Sequence, residues 1–449
     1  MSGHDDGLGA GGDTDPRRRR RALLLQAVVG VASLAAAAAV LLLGLNLRDE
    51  DRDGSVQPAF AGASGAAERG AYLARAGNCM GCHTAPGGAQ MAGGRRVETP
   101  FGSVYAPNLT PDDDTGLGRW TEADFWRALH NGRSRDGHLL APAFPYPNYT
   151  QVTREDAGAL FAYLRALPPV RRPAEPHGLR WPYGTQPALA VWRALYFRPG
   201  VFEADPARDA SWNRGAYLVR GLGHCEACHT SRNALGGSAG QGEFSGGMVP
   251  MQRWYAPALA SGSPAGTGAD PRTGGGADDA GQVAALLRDG VSSHGAVIGP
   301  MADVVATSTQ HLTDADIAAM AGFLRTLPPL PAATETIEPA APSVLRMGGA
   351  LYHDHCERCH GDMGQGAAGA YPPLAGNRSV LLASPVNVVQ AIIAGGYPPS
   401  TPGNPRPYGM PPFAATLDEG QVAAVATYIR QSFGNRAPAV SAVDVARSR

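Results

Sequence analysis

The chain has 449 residues, 38 Lys and Arg against 39 Asp and Glu, a formal net charge of −1 and 44% hydrophobic residues. Its length points to several domains, and its balanced charge argues against nucleic acid as a partner. With 59 Gly and 38 Pro, compact loop-rich modules are favoured over long sheets or bundles.

The N-terminus reads as an export and anchoring signal. Arg17 to Arg21 form a basic cluster, and an uncharged Leu/Ala/Val-rich run follows over residues 22–47. A helix needs about 20 apolar residues to cross a bilayer, and this run supplies them. Residues 1–21 are then cytoplasmic, 22–47 the transmembrane anchor, and everything after them lies outside. A cleaved signal peptide is the competing reading. Ala59-Phe60-Ala61 resembles a cleavage site, but it stands well past the apolar run, behind the charged Arg48–Asp53 stretch. A retained anchor is the preferred reading, with residues 48–65 as a linker.

Beyond the linker the chain repeats itself. Cys-x-x-Cys-His occurs at Cys79, Cys82 and His83, at Cys225, Cys228 and His229, and at Cys356, Cys359 and His360, using all six cysteines. Two thiols at this spacing can add across the two vinyl groups of one porphyrin, and the adjacent His reaches the iron as proximal ligand. The motif therefore predicts three covalently attached c-type haems. Three disulfides would leave the histidines unexplained. Zinc sites normally pair two Cys-x-x-Cys knuckles, and three is an odd number for that.

Each motif sits in the same frame. Arg69-Gly70-Ala71-Tyr72-Leu73 and Arg214-Gly215-Ala216-Tyr217-Leu218 open the first two modules, and Gly348-Gly349-Ala350-Leu351-Tyr352 is a looser third version. Each reads as an amphipathic helix delivering the chain into the motif. Closing helices are predicted over Glu155–Leu167, Ala315–Leu327 and Gln421–Phe433. Thr153 and Thr313 are N-cap candidates, and Pro168-Pro169 and Pro328-Pro329 stop the first two helices. The aromatic residue near the end of each closing helix reads as packing against the opening helix.

This outline predicts an all-α fold of three tandem cytochrome c-like domains after an N-terminal transmembrane helix. The domains span 66–170, 211–330 and 343–435. Residues 171–210, with Trp181, Tyr183, Trp192, Tyr196 and Phe197, form a connecting segment too aromatic for a free tether. Residues 261–279 read as a mobile insertion, 331–342 as a Pro/Ala linker, and 436–449 as a disordered tail without a core pattern.

An electron-transfer haem commonly takes a methionine opposite the histidine, which raises its potential. Met410, in Gly409-Met410-Pro411-Pro412, and Met301, in Gly299-Pro300-Met301, are the expected sixth ligands of the third and second haems. Met363, Met248 and Met251 are weaker competitors. The first domain has Phe144 at the corresponding place, and a phenyl ring cannot bind iron. Three routes stay open: His138 substitutes, with His130 and Met91 behind it; the iron is five-coordinate; or another domain or subunit supplies a ligand. Each domain also has a proline-led loop at Pro107, Pro257 or Pro372–Pro373, whose carbonyl is expected to accept the Nδ1–H of the proximal histidine.

The run of Arg-Gly-Ala-Tyr-Leu, haem motif, Ala106-Pro107-Asn108-Leu109-Thr110 and Pro142-Ala143-Phe144-Pro145-Tyr146, with Trp212-Asn213-Arg214-Gly215 and Gly223-His224-Cys225, resembles three-haem cytochrome c subunits of membrane-bound periplasmic dehydrogenases. The resemblance covers about residues 66–435. It implies partnership with a flavin, quinoprotein or molybdenum catalytic subunit and electron delivery to ubiquinone or a terminal cytochrome. It implies an electron-transfer subunit of an oxidoreductase complex in the inner membrane, with the haem domains on the periplasmic side. The alcohol and gluconate branch has methionine where this chain has Phe144, a departure that points toward the molybdenum hydroxylase branch. Two rival classes are a peroxidase-like enzyme using an open first haem and a haem subunit of a terminal oxidase.

Overall fold

The computed structural model describes residues 16–47, 63–238, 242–259, 279–328 and 337–449. Ala59-Phe60-Ala61, residues 48–62 and 331–336 of the two linkers and residues 261–278 of the insertion lie outside the described residues.

Helix α1 (Pro16–Asn46) begins on the arginine cluster. Its Leu and Val side chains from Leu23 to Leu45 are exposed, apart from half-buried Leu42. A long apolar helix that packs so little of its surface suits a lipid-facing span.

Three helix pairs follow. In the first unit α2 (Ala66–Ala76) crosses α3 (Arg154–Ala166). After the connecting helix α4 (Gln186–Tyr196), α5 (Ala210–Tyr217) crosses α6 (Asp314–Leu324) in the second unit. In the third, α7 (Pro342–His355) crosses α8 (Glu419–Gln431), and a last helix α9 (Ala442–Ser448) packs on α8. Every crossing is made on a glycine. A Cβ on Gly70 would lie 1.9 Å from Ala159 O, one on Gly215 2.1 Å from Ala319 O, and one on Gly348 2.2 Å from Ala424 O. The helices therefore touch backbone to backbone, a distance that no side chain permits. One turn further along the closing helix, the Cβ atoms of Tyr163, Phe323 and Tyr428 lie 2.8, 2.9 and 2.7 Å from the same points. The closing-helix aromatics thus flank the crossing, as expected of packing residues.

The closing helices start where the sequence places them. The Thr153 and Thr313 hydroxyls accept from the backbone N–H of Asp156 and Asp316. Helix α8 uses another solution, a capping box between Asp418 and Gln421.

Two expectations need correction. The fold is mainly helical but not purely so. Arg96–Thr99, Gly102–Tyr105 and Gly178–Leu179 form a small antiparallel sheet, and two further strand pairs lie in the second unit. Short glycine-rich turns, such as the one at Gly102 with φ +123°, permit these hairpins. Residues 436–449 are ordered, not a loose tail. Arg430 is fully buried and donates to Pro438 O at 2.8 Å, Val380 O at 2.9 Å and Leu382 O at 2.7 Å. Val440 and Val445 complete the third core around it. Burial lowers the Arg430 pKa to about 10, so the guanidinium stays charged at neutral pH. Arg430→Met is expected to strip these carbonyls of their donor and cost at least about 2 kcal/mol. A lowered melting temperature and new proteolysis of the C-terminal segment would check this.

The aromatic connecting segment packs across units. Trp192 Nε1 donates to Leu235 O at 2.9 Å, and Phe202 meets Tyr217 with ring centroids 5.4 Å apart.

Candidate haem centres

Each Cys-x-x-Cys-His motif forms one short helical turn at the end of an opening helix. The first two are entered through left-handed residues, Asn78 at φ +48° and His224 at φ +37°. None of the six cysteines is paired in a disulfide. Burial raises Cys79 and Cys225 to about 12 and Cys356 to about 11. Thiols so hard to ionise are poorly suited to redox exchange.

The histidines are oriented identically. His83 Nδ1 lies 2.9 Å from Pro107 O, His229 Nδ1 2.7 Å from Pro257 O, and His360 Nδ1 3.0 Å from Pro372 O. A carbonyl only accepts, so Nδ1 carries the hydrogen and Nε2 keeps its lone pair for a metal. Burial lowers the pKa of all three rings, which favours the neutral ligating form. The backbone between His and Pro is also in register. Gly93, Gly246 and Gly366 N–H donate to the three histidine carbonyls at 2.8, 2.7 and 2.7 Å. These features fit a c-type haem at every motif.

This register reassigns one candidate. Leu109 N–H donates to Met91 O and Leu259 N–H to Phe244 O, so Met91 and Phe244 are counterparts. Both side chains are 0% exposed. Met91 is a core residue on the histidine side, like Phe244. In the third unit the position is Gly364, and the Phe433 ring fills the space.

On the opposite loop, Leu140 N–H donates to Gly132 O and Val297 N–H to Gly290 O. Phe144 follows Leu140 by the same interval as Met301 follows Val297, so the two are structural counterparts. Met301 and Met410 both pack at the edge of a core. Met410 is pinned by two backbone bonds to Gly396, at 2.8 and 3.0 Å. His138 sits half-exposed beside the Arg133–Leu139 bridge, its Nδ1 2.5 Å from Asp136 Oδ1. It lines a cleft with His177, Trp181 and Leu189. His130 is buried, with Nδ1 2.8 Å from Thr150 O and its ring stacked on Trp126.

Two residues near the first motif were given no role by the sequence. Tyr149 packs on Phe144 and donates to Gly77 O at 3.0 Å. Burial, then Cys79 and Cys82, push its pKa well up. His224 meets Tyr149 edge-on and lies 3.3 Å from the same Gly77 carbonyl. The first and second motifs are therefore neighbours. Cys228 is raised by burial, eased by Arg232 and raised again by Cys82. Only the aromatic run Tyr146-Pro147-Asn148-Tyr149 hinted at this, because contacts between units have no local spacing.

The family model described as cytochrome c matches residues 67–168, and that of cytochrome c oxidase, cbb3-type, subunit III matches 343–429. The alcohol dehydrogenase (quinone) cytochrome c subunit of Gluconacetobacter polyoxogenes is 38% identical over 400 residues, covering 85% of this chain and 84% of that protein. The gluconate 2-dehydrogenase cytochrome c subunit of Pantoea cypripedii is 37% identical over 402 residues, covering 85% and 89%. The chain belongs to the family of cytochrome c subunits of alcohol, gluconate and fructose dehydrogenases. One component of the nicotinate dehydrogenase of Pseudomonas putida is 40% identical over 381 residues, 83% of this chain but only 31% of that larger protein. As a cytochrome c subunit, the chain carries covalent c-type haem and serves electron transfer rather than catalysis. The oxidase-type model covers one unit, whereas the dehydrogenase subunits align along most of the chain.

Proposed function

We propose that the chain is a membrane-anchored tri-haem cytochrome c that takes electrons from a dehydrogenase catalytic subunit and passes them to ubiquinone or a terminal cytochrome. The observation that carries this reading is the threefold repeat of Cys-x-x-Cys-His with histidine Nδ1 on a proline carbonyl. Residues 66–170, 211–330 and 343–435 are the three haem domains. Cys79 and Cys82, Cys225 and Cys228, and Cys356 and Cys359 form the thioethers, and His83, His229 and His360 ligate iron. Each haem supplies a one-electron iron couple. The chain's residues set its surroundings: the prolines orient the histidines, and Met301 and Met410 offer the sixth ligand.

The catalytic partner uses flavin, quinoprotein or molybdenum chemistry. The names of the relatives, which include a quinone alcohol dehydrogenase and a nicotinate dehydrogenase, support that range. A redox titration is expected to resolve three one-electron centres, and two or fewer would overturn the reading.

Phe144 in the methionine register leaves the first iron without a thioether. His138 is the substitute proposed from the sequence. Stoichiometric carbon monoxide binding at one haem of the as-isolated protein would mark that iron as open and remove His138. Without such binding, loss of the low-spin signal in His138→Ala would assign it.

The anchor is retained in this proposal, with Arg17 to Arg21 inside and the domains in the periplasm. The support is the end of α1. Asn46 is buried, donates to Ala190 O on α4 at 2.9 Å, and its Oδ1 accepts from Arg193 Nε at 3.0 Å. Arg133 donates to Asn46 O at 3.1 Å. A span clamped to the first domain is built to stay. Asn46→Leu is expected to loosen the clamp by about 1–3 kcal/mol. Faster proteolysis between anchor and first domain in detergent would report it, with haem content unchanged.

A further inference from the structure

We propose that the repeated Arg-Gly-Ala-Tyr-Leu sequence is a pairing device. Its tyrosines are exchanged between the first and second units, fastening those two into one body and leaving the third outside.

The geometry is reciprocal. Asp156, at the start of α3, receives Arg69 Nε at 2.8 Å and Nη2 at 2.5 Å on one oxygen, both from its own unit. Its other oxygen accepts from the Tyr217 hydroxyl of the second unit at 2.6 Å. Asp316, at the same place on α6, receives Arg214 from its own unit at 2.8 Å on each oxygen. It accepts from the Tyr72 hydroxyl of the first unit at 2.6 Å. Each tyrosine oxygen also accepts a backbone N–H from the helix cap it reaches: Thr153 N–H to Tyr217 at 3.3 Å and Thr313 N–H to Tyr72 at 3.2 Å. Each hydroxyl is therefore engaged both as donor and as acceptor.

The setting makes these bonds matter. Asp156 is 2% and Asp316 8% exposed. Charge-assisted hydrogen bonds away from water are among the stronger ones. Burial works to raise the Asp316 carboxyl, but Arg214 and Tyr72 overcome it and hold the group below the usual range. Burial first, then the carboxylate, raises both tyrosines, so each stays protonated as a donor.

The third unit keeps the glycine but lacks the arginine, the tyrosine and the aspartate. In register with Arg69, Tyr72 and Asp156 it has Met347, Ala350 and Gln421, judged from the crossings at Gly348 and Ala424. It meets the second unit differently, through Asn387, which exchanges two bonds with the backbone of Tyr255 at 2.9 and 2.8 Å. One opening sequence thus does three jobs in the first two units. Arg holds its own unit's carboxylate, Gly allows the crossing, and Tyr reaches the other unit.

The pairing sits behind the adjacent motif turns. Thr307 of the second unit donates to Asn78 Oδ1 at 2.8 Å, and Asn148 of the first donates to Arg220 O of the second at 3.0 Å. Tyr72, Tyr217, Asp156 and Asp316 are positioning residues for the first two haem turns, a consequence that rests on the tri-haem reading above.

The test is the Tyr72→Phe, Tyr217→Phe double variant of the full haem-loaded chain in detergent. Phenylalanine keeps the ring and removes only the hydroxyl, and each single variant serves if the double fails to fold. Amide hydrogen exchange at the starts of α3 and α6 is expected to speed up about 10-fold or more, with α7 and α8 unchanged. The magnetic coupling between two of the haems, read by electron paramagnetic resonance, should weaken while haem content stays the same. Unchanged exchange at both helix starts would overturn the pairing, as would equal loosening of all three units. The exchange measurement needs no haem, so failure of the tri-haem reading would appear in the resonance arm alone.

Discussion

On the tri-haem reading, changing Cys225 and Cys228 together to alanine is expected to yield a chain with two covalent haems in place of three. On that reading the thioether bonds of one unit involve no cysteine of another, because the six cysteines stand two per motif. The loss is all-or-none for that haem, since His229 by itself offers one coordinate bond and no covalent tether. The second unit will also lose stability. A group bound only in the folded state contributes directly to folding. Haem per chain after denaturation, read by haemochrome spectrum, checks this for each motif in turn. Three haems persisting, or all three lost, would refute one haem per motif.

The second large effect lies at the helix crossings. Gly348→Ala places a methyl 2.2 Å from Ala424 O and 2.7 Å from the Tyr428 Cβ. Backbone cannot yield as a side-chain tip does, so α7 must move off α8. Overpacking typically costs about 1–3 kcal/mol, and this backbone clash belongs at or above the top of that range. Gly322→Ala is the matched control. It lies within α6 with nothing within 4 Å of its Cβ position. There alanine should stabilise by roughly 0.5–1 kcal/mol through better helix propensity. Thermal unfolding of the two variants should move in opposite directions. A destabilisation by Gly348→Ala no larger than that of an ordinary surface change would refute backbone contact.

Much of the site was legible because its chemistry is local. Cys-x-x-Cys-His places thiols and imidazole on one turn, so adjacency alone names them. The Thr153 and Thr313 caps, the Pro168–Pro169 stop and the proline-led loops are equally local, and they stand where sequence reasoning put them. The C-terminal segment was misread because its order comes from Arg430, a charged residue that gives no apolar signal. Met91 looked like a spare ligand until its register with Phe244 placed it in the core.

By itself the sequence determined the haem attachment motifs, the N-caps of two closing helices, the apolar N-terminal helix and the absence of methionine at Phe144. These follow from residues a few positions apart, where bond lengths and helix geometry leave little choice. Only the tertiary structure decided how the units associate. Tyr72 and Asp316 are separated by 244 positions, and no periodicity relates them. Arg-Gly-Ala-Tyr-Leu reads in sequence as the opening of a helix. In the fold its tyrosine belongs to the neighbouring unit, because a buried carboxylate there needs a donor.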